Sequence, residues 1–208
     1  NSLYQNSSPF TVFPRPAVPR KAVYVSGTVD AGLKQEIERA GFTLVSTRTQ
    51  ATTLVYDSYE AYVADSVAIH QEVRNGKKLI FTGLPSGIHT IAGSEVSISN
   101  TSMGRYYFAS PYRKHPAMKN FEAFDINNWY SASTGMIAPL LGQTFYAQGW
   151  QPLVTSGSSN WVEDKGPVMA SGEMNYGKGC IRLNLIELKD KLMHNPTAML
   201  YFIQLISQ

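Results

Sequence analysis

Two places in this chain set a residue able to attack a carbonyl among glycines: Ser86 in Gly83-Leu84-Pro85-Ser86-Gly87, with His89 three residues on, and Cys180 in Gly179-Cys180-Ile181. A serine or cysteine nucleophile needs a base to take its proton and a third group to orient that base, so Asp57 or Asp125 would have to stand behind His89. A nucleophile elbow has the form Gly-x-nucleophile-x-Gly, in which small residues flank a side chain held out from a sharp strand-to-helix turn. Gly83 and Gly87 supply that frame, but Pro85 stands at its centre, and its ring carries no nucleophilic atom. Ser86 is one position out of register, and a chain order of Ser, Asp, His would require a late histidine such as His194 in place of His89. The spacing predicts a vacant elbow and no catalytic residue. Cys180 reads as a small buried hydrophobe, since nothing in its run must lower the thiol pKa.

Other chemistries fare no better. The four histidines at 70, 89, 115 and 194 have no zinc-ligand spacing and the single cysteine allows no internal disulfide, so neither a metal nor a cofactor is expected. Tyr176-Gly177-Lys178-Gly179 lacks the Gly-x-x-x-x-Gly-Lys-Ser/Thr spacing of a phosphate loop and reads as a hairpin turn with both glycines at positive φ. Glycoside cleavage needs two carboxylates roughly 5 to 10 Å apart in a cleft, whereas the acids here are scattered over helix faces and loops. Trp129, Trp150, Trp161 and the tyrosines suit core and interface packing, with sugar stacking as the alternative. Trp150 and Trp161 lie in Gly/Ser-flanked stretches and are assigned to an interface or sugar-contacting edge. With 18 basic and 15 acidic residues and no run of like charge, no nucleic-acid or membrane-surface patch is visible. No apolar stretch reaches the roughly 20 residues of a membrane span.

The elements that must position these residues alternate. Residues 1 to 20, with Pro9, Pro14, Pro16 and Pro19 and no apolar period, read as an extended Pro-rich linker behind an upstream domain. Residues 21 to 208 read as one domain. Ala22 to Ser26, Phe42 to Ser46, Thr53 to Tyr56 and Lys77 to Thr82 are strand-like. Asp30 caps a helix with Leu33, Ile37 and Ala40 on one face and Gly41 at its end, and a second helix from Tyr59 to Asn75 buries Tyr62, Val63, Val67, Ile69 and Val73. From Ile88 to Asn128 irregular structure is expected, with strands at Glu95 to Ile98 and Tyr106 to Phe108. Gln151 to Thr155, Pro167 to Ser171 and Cys180 to Leu185 supply late strands, and Asn195 caps a closing helix that has Pro196 at its first position and Met199, Phe202, Ile203 and Ile206 buried. This alternation predicts an α/β fold: a three-layer flavodoxin-like sandwich with a mostly parallel central sheet.

Several short motifs, in order, carry a family likeness: His115-Pro116-Ala117-Met118 before Asp125 to Trp129, then Gly149-Trp150-Gln151-Pro152-Leu153, Tyr176-Gly177-Lys178-Gly179, and Asn195-Pro196-Thr197-Ala198. Over residues 21 to 208 the chain resembles the class I glutamine-amidotransferase-like domain near the C-terminus of bacterial glycoside hydrolases. It is most similar to those of family 2, the β-galactosidase, β-glucuronidase and β-mannosidase group. Working amidotransferases of this class place a cysteine in the elbow and a histidine with a glutamate late in the chain. The elbow here holds Pro85, and Glu187, near the late acidic position, has no histidine at the matching interval. The resemblance implies a non-catalytic accessory domain that packs on neighbouring domains of the parent enzyme or on a second subunit, with the parent's catalytic carboxylates upstream, in a periplasmic or extracellular setting. The alternatives are a carbohydrate-binding module using exposed aromatics and a small hydrolase or amidotransferase with an atypical site.

Overall fold

A computed structural model describes residues 20–100, 109–137, 141–156 and 168–207. The Pro-rich leader apart from Arg20, the expected strand at Tyr106 to Phe108, Pro167 and Trp161 lie outside the described residues.

The first third of the chain builds β-α steps. Strand β1 (Ala22–Val25) leads to helix α1 (Ala31–Arg39), whose N-terminus is capped by the Asp30 carboxylate accepting from the Gly32 and Leu33 amides at 2.9 and 3.2 Å. Leu33, Glu36 and Ile37 form its buried stripe, and Gly41 at φ 98° stops it in the left-handed conformation that glycine adopts without Cβ strain. Strands β2 (Thr43–Val45) and β3 (Thr53–Tyr56) follow, then α2 (Tyr59–Arg74) capped by Ser58, then β4 (Lys78–Phe81). Helix α2 buries Tyr62, Ile69 and Val73, but the expected burial of Val63 and Val67 is corrected: they are 49% and 84% exposed. At 100° per residue these two valines fall about 100° and 140° around the helix from Tyr62, outside the stripe that Ile69 and Val73 share with it.

After β4 the pattern changes from crossover to hairpin. Strands β5 (Gly87–Ile91) and β6 (Ser94–Asn100) pair in antiparallel register through a two-residue turn at Ala92 and Gly93, both at positive φ (49° and 84°). That geometry matches the twist of the flanking strands. Helix α2 holds the hairpin. The Tyr59 hydroxyl donates to the Thr90 carbonyl and accepts from the Thr90 amide, both at 3.0 Å, and the Tyr62 hydroxyl accepts from the Ala92 amide at 3.0 Å. Then come β7 (Ala109–Pro111), a 3-10 turn at Pro116–Met118, α3 (Ala123–Asn127), the small β8 (Tyr130–Ser131) and β9 (Met136–Ile137) pair, β10 (Gln143–Ala147), β11 (Gln151–Ser156), β12 (Met169–Tyr176), β13 (Gly179–Asn184) and α4 (Pro196–Ser207).

The large sheet runs β2-β1-β3-β4-β13-β12-β10-β6-β5, with β11 and then β7 branching from β12. The five strands from β2 to β13 are parallel, and every other pairing in this sheet is antiparallel. The expectation of a mostly parallel sheet is therefore corrected to a mixed one, because no helix follows β4 and the chain returns by hairpins. Helices cover both faces of the parallel half. Phe81 meets Tyr62 of α2 edge-on at 5.1 Å between centroids, while Arg182 and Asn184, on the opposite face of β13 from Leu183, which is Phe81's register partner, bond to α4. The β12–β13 hairpin turns through Gly177 and Lys178 as expected, but only Gly177 has positive φ (66°). Gly179 is needed for closeness: a Cβ there would sit 2.0 Å from the Lys77 carbonyl oxygen and 2.4 Å from that of Val73.

Candidate functional site

Open α/β sheets bind ligands beyond the carboxyl ends of their parallel strands, where neighbouring connections leave in opposite directions. Here β1 lies between β2 and β3, so the loops after β1 and β3 flank that point. Their polar groups are joined to one another. Ser26 and Thr28 hydroxyls lie 3.2 Å apart, and Thr28 donates to Asp57 at 2.6 Å. Asp30 both caps α1 and pairs with Lys189 at 3.0 Å, and this lysine, with the Leu33 amide, holds its carboxyl below the ordinary range. The α2 N-terminus is likewise occupied by Ser58, which accepts from the Ala61 amide and donates to Glu60.

The elbow after β4 opens on the same edge. Pro85 and Ser86 are exposed there, and the chain passes straight into β5, so the strand-to-helix turn that presents a nucleophile is absent. His89 is buried in β5, 8% exposed, with its Nε2 2.8 Å from the Pro85 carbonyl and its ring 4.6 Å from that of Tyr59. Its one ring nitrogen with a hydrogen bond is thus turned to a backbone oxygen. Asp57 is engaged by Thr28, and Asp125 accepts from the Glu122 amide at 2.8 Å in the cap of α3. His194 is exposed and lies edge-on to Tyr130. Among the described residues nothing assembles these groups into a relay around Ser86.

Cys180 lies at the other end of the sheet. It pairs in register with Lys78 at the start of β4, whereas the elbow follows the end of that strand. Burial pushes the Cys180 thiol up to about 11, and burial draws Lys78 down to about 8. A thiol so raised is not a nucleophile at neutral pH. Glu187 is exposed.

Three features were not foreseen. The first is a buried chain of charge. Arg182, 1% exposed, donates from Nε to Glu173 at 2.6 Å and from Nη1 to the Gln204 carbonyl at 2.9 Å and to that of Leu205 at the end of α4. His115 Nδ1 accepts from the Ala117 amide at 3.2 Å, which leaves the proton on Nε2 to be donated to Glu173 at 3.3 Å. Burial pushes the Glu173 carboxyl up, and the charge and hydrogen bond of Arg182, with His115 adding to them, together outweigh it, so the group ends below the ordinary range. The second is the loop after β13. Its Asp190 is held down to about 2 by the Ser133 amide at 2.8 Å, with the Ser131 hydroxyl at 2.9 Å adding to it. Burial raises Glu36, on α1 beside the same loop, and the nearby Asp190 charge adds to that. Environments that push two carboxyls apart in this way can mark an acid and a base. Glu36 is nearly closed to solvent, however, and Asp190 is fixed to the β8–β9 turn, so the pair joins α1 and β8 to the loop.

The third is Trp150. It was assigned to an interface or sugar-contacting edge, but it is 7% exposed, packed edge-on against Phe145 and donating to Ser94 at 2.9 Å. Its indole is a wall of the interior, so it offers no stacking face. Trp129 is likewise buried, bonded to the Asp125 carbonyl and Thr197. Nor does the Asn195 side chain cap α4 as the sequence suggested. It accepts from the Tyr130 amide and donates to the Tyr130 and Lys191 carbonyls.

Fold and edge together define an α/β protein with a mixed sheet and no nucleophile at its elbow. No family model matches the chain, and no curated protein matches it in sequence. Among solved structures it is similar to a cytoplasmic protein from Salmonella typhimurium, with a TM-score of 0.52 and 10% identity over 89% of this chain and 98% of that one. A second cytoplasmic protein of that organism is similar at TM-score 0.52 and 10% identity, over 90% and 100% of the two chains. A β-galactosidase from a Rahnella species is similar at TM-score 0.51 and 10% identity, over 89% of this chain and 31% of the enzyme. At such identity the likeness is one of fold.

Proposed function

We propose that this chain is a non-catalytic accessory domain of the class I glutamine-amidotransferase-like, flavodoxin-like type, carried by a larger glycoside hydrolase and serving to pack on its neighbouring domains or subunits. The observation that carries this reading is the exit from β4: Pro85 stands at the nucleophile position and a hairpin follows where a helix would be needed. Covalent catalysis fails without its nucleophile however much of the scaffold remains. The similarity of the chain to about a third of a β-galactosidase supports the setting, since a glycosidase's paired carboxylates belong on a rigid frame elsewhere in such an enzyme.

Purified chain should turn over neither glutamine nor aryl glycosides or esters. Turnover that disappears in Ser86→Ala or Cys180→Ala overturns the non-catalytic reading. Deleting residues 21 to 208 from the longer protein that carries them should lower its melting temperature or dissociate its assembly, because a packing domain buries an interface of order 1,000 Å². An unchanged melting temperature and assembly overturns the packing reading.

A further inference from the structure

The solvent-facing side of the β5-β6-β10 ladder holds a groove of about 490 Å³ whose lining includes Glu95, Ser97, Tyr146, Gln148 and Met174. Strand alternation places these groups. Val96 and Ile98 of β6 point into the core, so Glu95 and Ser97 point away from it. Tyr146 of β10 is the register partner of Ser97, and directly opposed residues share a face with Cβ atoms about 5 Å apart. Met174 of β12 contributes an apolar patch. The ends are two turns, Ala92-Gly93 and Gln148-Gly149, with Gly149 at φ 80°. Trp150 fixes their spacing from below through its bond to Ser94. A groove whose walls are tied by a buried indole is formed before any ligand arrives, which is the usual state of a binding site.

Its chemistry selects among ligands. Among the described residues no lysine, arginine or histidine lines it, so the charge an anion would meet there is that of the Glu95 carboxylate. Glu95 has no ion pair among the described residues. The remaining polar groups are hydroxyls and one amide, able to donate and accept, beside the ring of Tyr146 and the thioether of Met174. A carboxylate accepts from two adjacent hydroxyls at once, an amide does both jobs, and an aromatic face receives the C–H side of a pyranose.

We propose that this groove binds an uncharged, hydroxyl-rich ligand of one or two sugar rings, with Tyr146 as its platform and Glu95 and Gln148 as its hydroxyl acceptors. This inference is independent of the packing reading above and uses none of the residues assigned to an edge from sequence.

The test is a titration of the isotope-labelled chain, followed through its backbone amide resonances, with galactose, glucose, mannose, xylose, lactose and cellobiose. Butylammonium serves as the cationic probe, and concentrations reach roughly 50 mM because single-ring ligands in open grooves bind at millimolar strength. Shifts from at least one saccharide, confined to residues 92 to 97 and 146 to 149, are expected. Affinity should fall about tenfold in Tyr146→Ala and several-fold in Glu95→Gln, a surface change that keeps the fold if the tyrosine variant does not. No shift with any saccharide overturns the proposal, as do shifts with butylammonium alone, which would make Glu95 a simple cation contact. Saccharide shifts that persist undiminished in Glu95→Gln and in folded Tyr146→Ala also overturn it. The titration reads this groove only, so its outcome is separate from that of the deletion experiment.

Discussion

The two halves of the sheet meet at the β13–β12 pairing and are held by different means. In the parallel half, helices bury both faces, and the polar groups at the carboxyl edge are linked to one another, as in the Ser26-Thr28-Asp57 chain and the Asp30–Lys189 pair. In the antiparallel half the inner strand β12 is buried on both faces, whereas β5 and β6 at the outer edge bury one face and leave the other open, and the groove between the 92–93 and 148–149 turns lies beside that open face. The half whose topology suits catalysis is chemically closed, while the half built from hairpins offers free hydrogen-bonding groups. A fold's customary site and a chain's usable surface need not coincide.

The sharpest way to break this division is to cut the charges that cross its seam. Glu173 and Arg182 face each other on β12 and β13. Replacing one partner leaves the other buried and unpaired, so Glu173→Gln should destabilise the domain by about 3 to 5 kcal/mol in urea denaturation. Replacing both with Leu and Met should recover much of that loss, whereas equal damage from single and double variants would mean that the pairing itself carries little. Next in size is the tip of the same hairpin. Gly179→Ala drives a methyl into the Val73 and Lys77 carbonyls and should cost about 1 to 3 kcal/mol, read as a lowered urea midpoint.

A smaller, pH-dependent effect tests the loop joining α1 to the β8–β9 turn. The Asp190 carboxyl is depressed from 3.8 to about 2 in the fold, so the stability it contributes is full above its ordinary value and lost as pH falls toward 2. Ser131→Ala removes one of its donors. The variant's deficit should therefore be greatest at neutral pH and close as the pH is lowered through that window, as followed by urea melts at several pH values. The least effect is expected on the bare flank of α2, where Val67→Lys should change stability by no more than about 0.5 kcal/mol.

Much of the parallel half was legible because its signals are local. Asp30 and Gly41 punctuate α1, Ser58 and Gly76 bracket α2, and the apolar runs between them are short enough to be strands. The β5–β6 hairpin was half missed because its turn is Ala92-Gly93, and an alanine at positive φ carries none of the usual turn signature. Val63 and Val67 misled because two apolar residues four apart suggest a face, yet the stripe was set by their larger neighbours. The seam pair was readable in principle: once Gly177-Lys178 is a two-residue turn, Glu173 and Arg182 must oppose each other. Trp150 was not, because its burial depends on Phe145 and Ser94, which come together only in the folded sheet.

One phenol has a further consequence for solubility. Strand β5 ends the sheet, and an unpaired strand border invites another chain to add itself. By occupying both the amide and the carbonyl of Thr90, the Tyr59 hydroxyl plugs that border with a single atom. Ile88 stays exposed beside it. Loss of the oxygen in Tyr59→Phe would leave a short sticky margin, and concentrated solutions of that variant should show concentration-dependent association by light scattering before any change in helix content.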